Sequence, residues 1–384
     1  MREFPASPIT AVIDEKPLYN LSESVGPDLT VADVLDPETL AGLGGVGLGY
    51  GTSAGGDDLR SLVAARHGIP AGQVLITSGA AAALFLLGLV YGDGDVVIGI
   101  PCFPPVLDAL RVTGARVETV RSRFEDGYRL DLGAFRAKLN RRTRLVMLAS
   151  PQNPSAVSLT ERVVEQVLAA MSRSCPEAVL LIDETFREAS YADEGPAASL
   201  AGRDPRLVTC GSLSKAYGVP GLRIGWLTVS DPAVYDQLRL AKFNSSVACG
   251  SLDEFLAARV LARADQVLAA RGAIMATARD ITGRWVHAHE GMVRWLRPEA
   301  GAFCCIRLEP AIFGPQEIDR LYARLAQERI IVAQGPWFAD TASIIRLGMA
   351  YEPPGRLEKA LELIVTALEA SANRTSADGA GRTH

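Results

Sequence analysis

A lysine that attacks a carbonyl must do so as the free amine, so it needs small neighbours and surroundings that resist its charge. Lys215 sits among such neighbours, in the stretch CGSLSKAYGVPGLRIGW from Cys210 to Trp226. Ser212 precedes it by three residues, Ser214 by one, and Arg223 follows by eight. Two hydroxyls and a planar guanidinium form a donor set suited to phosphate oxygens. Glycines at 211, 218, 221 and 225 keep the backbone slim enough for a bound group to approach. Together these residues suit an aldehyde that carries a phosphate and is held on Lys215 as a Schiff base. Pyridoxal 5'-phosphate (PLP) is such a molecule.

PLP makes further demands, and candidates for each occur along the chain. Its pyridine nitrogen needs a carboxylate to keep its proton. Asp183 ends the apolar run AVLLID, at the carboxyl edge of an expected strand, where ligands of open α/β sheets gather. The same residue could instead be a helix N-cap, with Glu184 and Thr185 following it. Asn153 in SPQNPS is a candidate donor to the ring oxygen, although Asn-Pro also marks a simple turn. Ser78, Gly79 and Ala80 open SGAAAAL and offer helix-start amides to the phosphate, unless this is a plain strand-to-helix turn. Phe103 in IPCFPP is a stacking ring or a core side chain.

These residues need a scaffold. The chain has 384 residues, which suggests two domains, or a large one with a smaller one appended. Its apolar content of 48% and charged content of 22% are those of a globular protein. A net charge of −5 argues against a nucleic-acid partner. No apolar run reaches membrane-spanning length, and MREFPASPIT lacks a signal-peptide core. Six cysteines lack metal spacing, and Cys304–Cys305 reads as a buried strand pair. Free thiols and no metal imply a reducing, cytoplasmic setting.

Apolar strand-like runs recur at Val74–Thr77, Val96–Ile100, Val117–Val120, Leu145–Ala149, Val179–Ile182, Leu207–Cys210 and Trp226–Val229. Helical patterns lie between most of them, as at Ala80–Val90 and Glu161–Ala170. This alternation predicts an α/β fold: a large domain with a mostly parallel, about seven-stranded sheet between helices. A smaller α/β domain is expected from both chain ends. It would contain a long helical stretch from about Leu252 to Val286 and strands near Met292–Leu296, Phe303–Leu308, Ile330–Ala333 and Ile344–Met349. The expected boundaries are an arm and part of the small domain at 1–44, the large domain at 45–265, the small domain at 266–372 and a disordered tail at 373–384. A short helix is expected near Val31–Leu40. Gly42, Gly44 and Gly47 formally match a dinucleotide fingerprint, but no strand precedes them, so the segment reads as a loop.

The ordered motifs resemble the fold-type I PLP enzymes of the class I/II aminotransferase group, from about Tyr50 to Arg346. SLSKAYGVPGLRIGW is similar to that family's Schiff-base lysine motif. The resemblance implies that Lys215 carries the cofactor and shuttles a proton, that Asp183 holds the pyridine nitrogen, and that Ser212, Ser214 and Arg223 bind phosphate. YGTSAGGDDLR resembles the segment whose tyrosine, here Tyr50, reaches the phosphate of a neighbouring subunit, which implies a homodimer with shared active sites. IIRLGMA places Arg346 where the family holds the substrate α-carboxylate, a task for a bidentate fork. Three features depart from the family pattern. Phe186 replaces a tyrosine that donates to the ring oxygen, Ser155-Ala156 follows Asn153-Pro154 where Thr-Gly is usual, and Glu254 replaces a common glutamine.

The expected activity is a PLP-dependent aminotransferase moving an amino group between an α-amino acid and a 2-keto acid. The alternative is a PLP-dependent cyclase, lyase or oxidase of an amino acid, possibly arginine-derived, in a natural-product pathway. A PLP-binding regulator would need a DNA-binding module, and no basic helix-turn-helix segment precedes the domain. Candidates for the substrate side-chain pocket are Gly26, Glu23 and Trp337, and Glu23 could meet a basic substrate or simply face solvent.

Overall fold

A computed structural model describes residues 4–14, 16–192 and 195–372. The expected disordered tail lies outside the described residues. In chain order the strands are β1 Tyr19–Leu21, β2 Val74–Thr77, β3 Asp95–Ile100, β4 Arg116–Arg121, β5 Thr143–Ala149, β6 Val179–Asp183, β7 Leu207–Ser212, β8 Gly225–Val229, β9 Val293–Trp295, β10 Phe303–Leu308, β11 Ile330–Gln334 and β12 Ile344–Gly348. They form a seven-stranded sheet, order β2-β8-β7-β6-β5-β3-β4, and a five-stranded sheet, order β1-β11-β12-β10-β9.

In the larger sheet only β8 runs antiparallel to its neighbours. Its central strands are apolar at successive positions because both faces are covered. Val179 and Leu181 of β6 pack on one face with helices Gly79–Tyr91 and Pro104–Thr113. Leu180 and Ile182 pack on the other face with helix Glu161–Ser174. Asp183 is the first polar residue of that strand and stands where it leaves the sheet.

The smaller sheet joins the two ends of the chain. β1 pairs in parallel with β11, some 300 residues later, by the register Tyr19↔Ile330. β12 lies between β10 and β11, so Arg346 is flanked by Cys305 and Ala333.

Two helical expectations need correction. The stretch from Leu252 to Val286 is two helices, Ser251–Ala262 and Ala264–Ala288. They break at Arg263, whose guanidinium turns back to Gln266 Oε1 at 2.9 Å and to the Val34 carbonyl at 3.3 Å. The helix near Val31–Leu40 is likewise two, Val31–Val34 and Pro37–Ala41. Pro37 disfavours helix at the residue before it, and Asp36 restarts the helix by accepting from the Thr39 amide at 2.7 Å. Helix Pro232–Ser246 was not anticipated, although Asp231-Pro232 is a start signal and Asp231 caps the Ala233 amide at 2.7 Å. The glycine segment Gly42–Gly45 is a short 3-10 turn.

Candidate active site

The carboxyl ends of β2, β5, β6 and β7 share one edge of the larger sheet with the start of the antiparallel β8. Thr77 and Ser212 both pair with Gly225, which lies between them. The turn after β2 therefore meets the residue that opens the lysine loop. The space is narrow. A Cβ on Gly225 would lie 2.6 Å from the Ala80 amide nitrogen, and one on Gly79 would lie 2.6 Å from Arg223 Nη2. Gly79 also has φ +77, a conformation that side chains other than glycine adopt only with strain. The start of helix Gly79–Tyr91 thus faces a guanidinium, a pairing of amides and cation that suits phosphate. The Arg223 Nη1 also donates to Pro220 O at 2.9 Å. Ser78 Oγ lies 3.7 Å from Cys249 Sγ. Ser212 and Ser214 are buried and bonded to each other, Oγ to Oγ at 2.8 Å, with Ser212 Oγ also accepting from the Ser214 amide at 3.0 Å. Their hydroxyls would have to turn to serve a phosphate.

Asp183 is held by one oxygen. Its Oδ1 accepts from the Thr185 amide at 2.9 Å and from the Cys210 thiol at 3.3 Å. Cys210 is its register partner in β7. The amide contact caps a turn and not the helix the sequence allowed, since no α-helix starts there, and Asp183 also lines a cavity. That cavity, about 360 Å³, is lined by Asp183, Asn153, Phe103 and Gln152 among others. Burial raises the Asp183 carboxyl above its usual range, an effect that hydrogen bonds and Lys215 oppose.

Lys215 is brought in from the loop after β7, and its Nζ donates to Ser24 Oγ at 2.8 Å. Burial pushes its pKa down to about 8; Glu23 opposes the shift, and Arg346 and Arg223 add to it. About a tenth of this amine is therefore neutral near pH 7, against well under one part in a thousand for an ordinary lysine. Phe186 lies over the lysine, with Nζ 6.0 Å from the ring centroid, and packs edge-on against Phe303 at 4.9 Å.

The opposite wall comes from the smaller sheet. Arg346 is buried, and no carboxylate among the described residues lies within ion-pair distance of it. Its Nη1 donates to Asn153 Oδ1 at 2.9 Å, its Nη2 donates to the Ser22 carbonyl, and its Nε has no partner. Phe338 and Phe303 flank the guanidinium at 4.7 and 5.4 Å. Burial lowers the Arg346 pKa to about 10, which leaves it charged. A buried cation without a counter-ion is costly, and an anionic ligand removes the cost.

The remaining expected residues lie apart. Tyr50 is 94% exposed and touches nothing in the site of its own chain. Gly26 is buried, but its open side faces Arg271, whose Nη2 would lie 2.8 Å from a Cβ there. Glu254 accepts from the Gly56 amide at 2.7 Å. Sequence reasoning missed Ser24, Cys210 and Phe303. No motif marks Ser24, and Cys210 reads as one more apolar strand residue.

The family model described as aminotransferase class I and II matches residues 16–364. The chain belongs to that family. Its cofactor is accordingly PLP, and its activity is that of a PLP-dependent aminotransferase. The chain is 31% identical to capreomycidine synthase of Streptomyces vinaceus over 82% of its own length and 79% of that protein. It is 30% identical to arginine–pyruvate transaminase of Pseudomonas aeruginosa over 78% and 77%. A solved structure of a PLP-dependent cyclase superimposes with a TM-score of 0.81 at 25% identity, over 96% of this chain and 98% of that one. The residues on hand fit PLP. Gly79 brings the helix start so close to Arg223 that a Cβ would clash with its guanidinium, and Asp183 is held by Cys210 while lining a cavity with Asn153 and Phe103. No helix among the described residues is long and apolar enough to cross a membrane.

Proposed function

We propose that this aminotransferase acts on α-amino acids that lie between Lys215 and Arg346. The observation that carries this reading is Arg346: buried, charged, unpaired, with Nε free. Its planar fork would take the α-carboxylate, and Asn153, already bonded to it, would fix its plane. Bound PLP supplies an electron sink that makes the substrate α-proton removable. Lys215 would move that proton, and its depressed pKa keeps a useful fraction of the amine neutral. Asp183 would keep the pyridine nitrogen protonated, and Thr185 and Cys210 aim it by binding one oxygen. Arg223, Gly79 and Ala80 would hold the phosphate. Phe186 and Phe303 keep water from the lysine side of the pocket.

A homodimer suits the exposed Tyr50, which would serve the partner's phosphate site, and a cytoplasmic location suits the six buried, unpaired cysteines. A second reading is a PLP-dependent cyclase or lyase of a basic amino acid. Phe186 favours it, since a ring-oxygen donor is missing there, and so does the likeness to capreomycidine synthase. The deciding experiment supplies amino donor without a keto-acid acceptor. A transaminase releases one equivalent of keto acid per site and stops. Continued turnover to a cyclised or eliminated product would overturn the main reading.

A further inference from the structure

The arm from Ser22 to Gly26 crosses the site between its two cations. The Ser22 carbonyl accepts from Arg346, and two residues later the Ser24 hydroxyl accepts from Lys215. The residue between them is Glu23. Its backbone is pinned against β12, since a Cβ on Gly348 would collide with the Glu23 carbonyl. Among the described residues its carboxylate makes no ion pair and accepts no hydrogen bond, so it stands more than 4 Å from both Lys215 and Arg346. Yet it is the charge that acts most strongly on each of them. A half-buried carboxylate with no bonded partner therefore lies near two cations, beyond ion-pair distance of both.

A count of charges shows what the site requires. The proposed function matches Arg223 with phosphate, Asp183 with the pyridine N–H and Arg346 with the substrate carboxylate. Once these pairs form, Glu23 is the site carboxylate left without a matched group, with only the Lys215 amine near it. Leaving a carboxylate unpaired in a partly buried pocket is unfavourable, and a neutral side chain would not change that. A substrate with a cationic end would. The same arm adds Asp28, which accepts from the Tyr351 hydroxyl at 3.2 Å and extends the negative potential towards solvent.

We propose that Glu23 is the specificity-determining residue of this enzyme, receiving the guanidinium or ammonium end of a basic α-amino acid whose carboxylate lies on Arg346. This deepens the function proposed above and rests on its reading of Arg346.

The test is calorimetric binding to the PLP-loaded enzyme, which needs no turnover. The ligands are 5-guanidinopentanoate, 6-aminohexanoate and hexanoate, which share the carboxylate and differ in the far end. A charge-assisted contact is worth about 1.5–3 kcal/mol, roughly a 10- to 100-fold preference for the cationic acids. Glu23→Gln should reduce that preference to about threefold or less, and Glu23→Asp should restore part of it. The better of the two cationic acids separates guanidinium from ammonium recognition. Equal binding of all three ligands by the unaltered enzyme, or an undiminished preference in Glu23→Gln, overturns the proposal. Arg346→Lys separates the two levels: it should weaken all three ligands alike. If it does and Glu23→Gln changes nothing, only the role of Glu23 fails. If Arg346→Lys changes nothing, the carboxylate site itself is wrong.

Discussion

The two walls of the active site are built in different ways. The proposed cofactor wall comes from strand ends of one sheet, with Asp183, Lys215 and Arg223 within about forty residues of each other along the chain. The proposed substrate wall comes from the smaller sheet and the arm, where Arg346 meets Ser22 across 324 positions and Asn153 across 193. Parallel strands deliver their carboxyl ends to one edge by topology, so the first wall follows from local motifs. The second exists only after the chain ends have met. Damage to the first should therefore abolish chemistry or cofactor binding, and damage to the second should change which substrates bind and how tightly.

The sharpest division is expected from Lys215→Ala. It should end borohydride-stable fixation of PLP and lower turnover about ten-thousand-fold, while melting temperature stays near that of the unaltered protein. A lasting borohydride-fixed adduct would falsify the assignment. The same amine sets a pH dependence. Below its pKa it is protonated and cannot attack, so PLP capture by the apoprotein should accelerate with rising pH, with its midpoint near pH 8 and its plateau above that. A midpoint near 10.5, the ordinary lysine value, would show that the amine is not desolvated.

On the other wall, Arg346→Lys should raise KM about 10- to 100-fold and change kcat less, because an ammonium cannot reproduce the planar fork. A loss confined to kcat would place Arg346 on the wrong side of the comparison. Gly79→Ala returns to the cofactor wall with a milder change. Its Cβ enters the space beside Arg223 at an unfavourable φ, so PLP should bind about tenfold more weakly, with substrate preference unchanged. Fluorescence titration of the apoprotein measures this.

Phe186→Tyr should have the smallest effect and probes where the walls meet. A phenol reaching the ring oxygen would favour the deprotonated form of the bound chromophore. Its spectrophotometric pKa should then fall by about one unit, the worth of one neutral hydrogen bond. The present ring packs against Phe303, so the hydroxyl must find room beside that contact. An unchanged or raised pKa would mean that position 186 does not face the ring oxygen.

The central strands of the larger sheet were legible because both faces are covered, so runs such as Val179–Ile182 are apolar at successive positions. Val74–Thr77 in that sheet and Phe303–Leu308 in the smaller one match to the residue. β1 was not legible as a strand: three residues, Tyr19–Leu21, carry no periodicity, and they are extended only because β11 lies alongside. Ser24 was invisible for the same reason, since a lone serine in a proline-containing arm carries no local signal.

The sequence by itself determined the sheet, the lysine, the carboxylate at the strand end and the guanidinium beside the phosphate turn. Each depends on neighbours a few residues away or on a pattern within one element. Tertiary structure alone decided that Cys210 aims Asp183, that Arg346 is buried without a counter-ion, and that Glu23 lies near both cations without touching either. Those properties are sums over groups far apart in the chain. Burial and electrostatic fields act through space, and no spacing along a sequence encodes them.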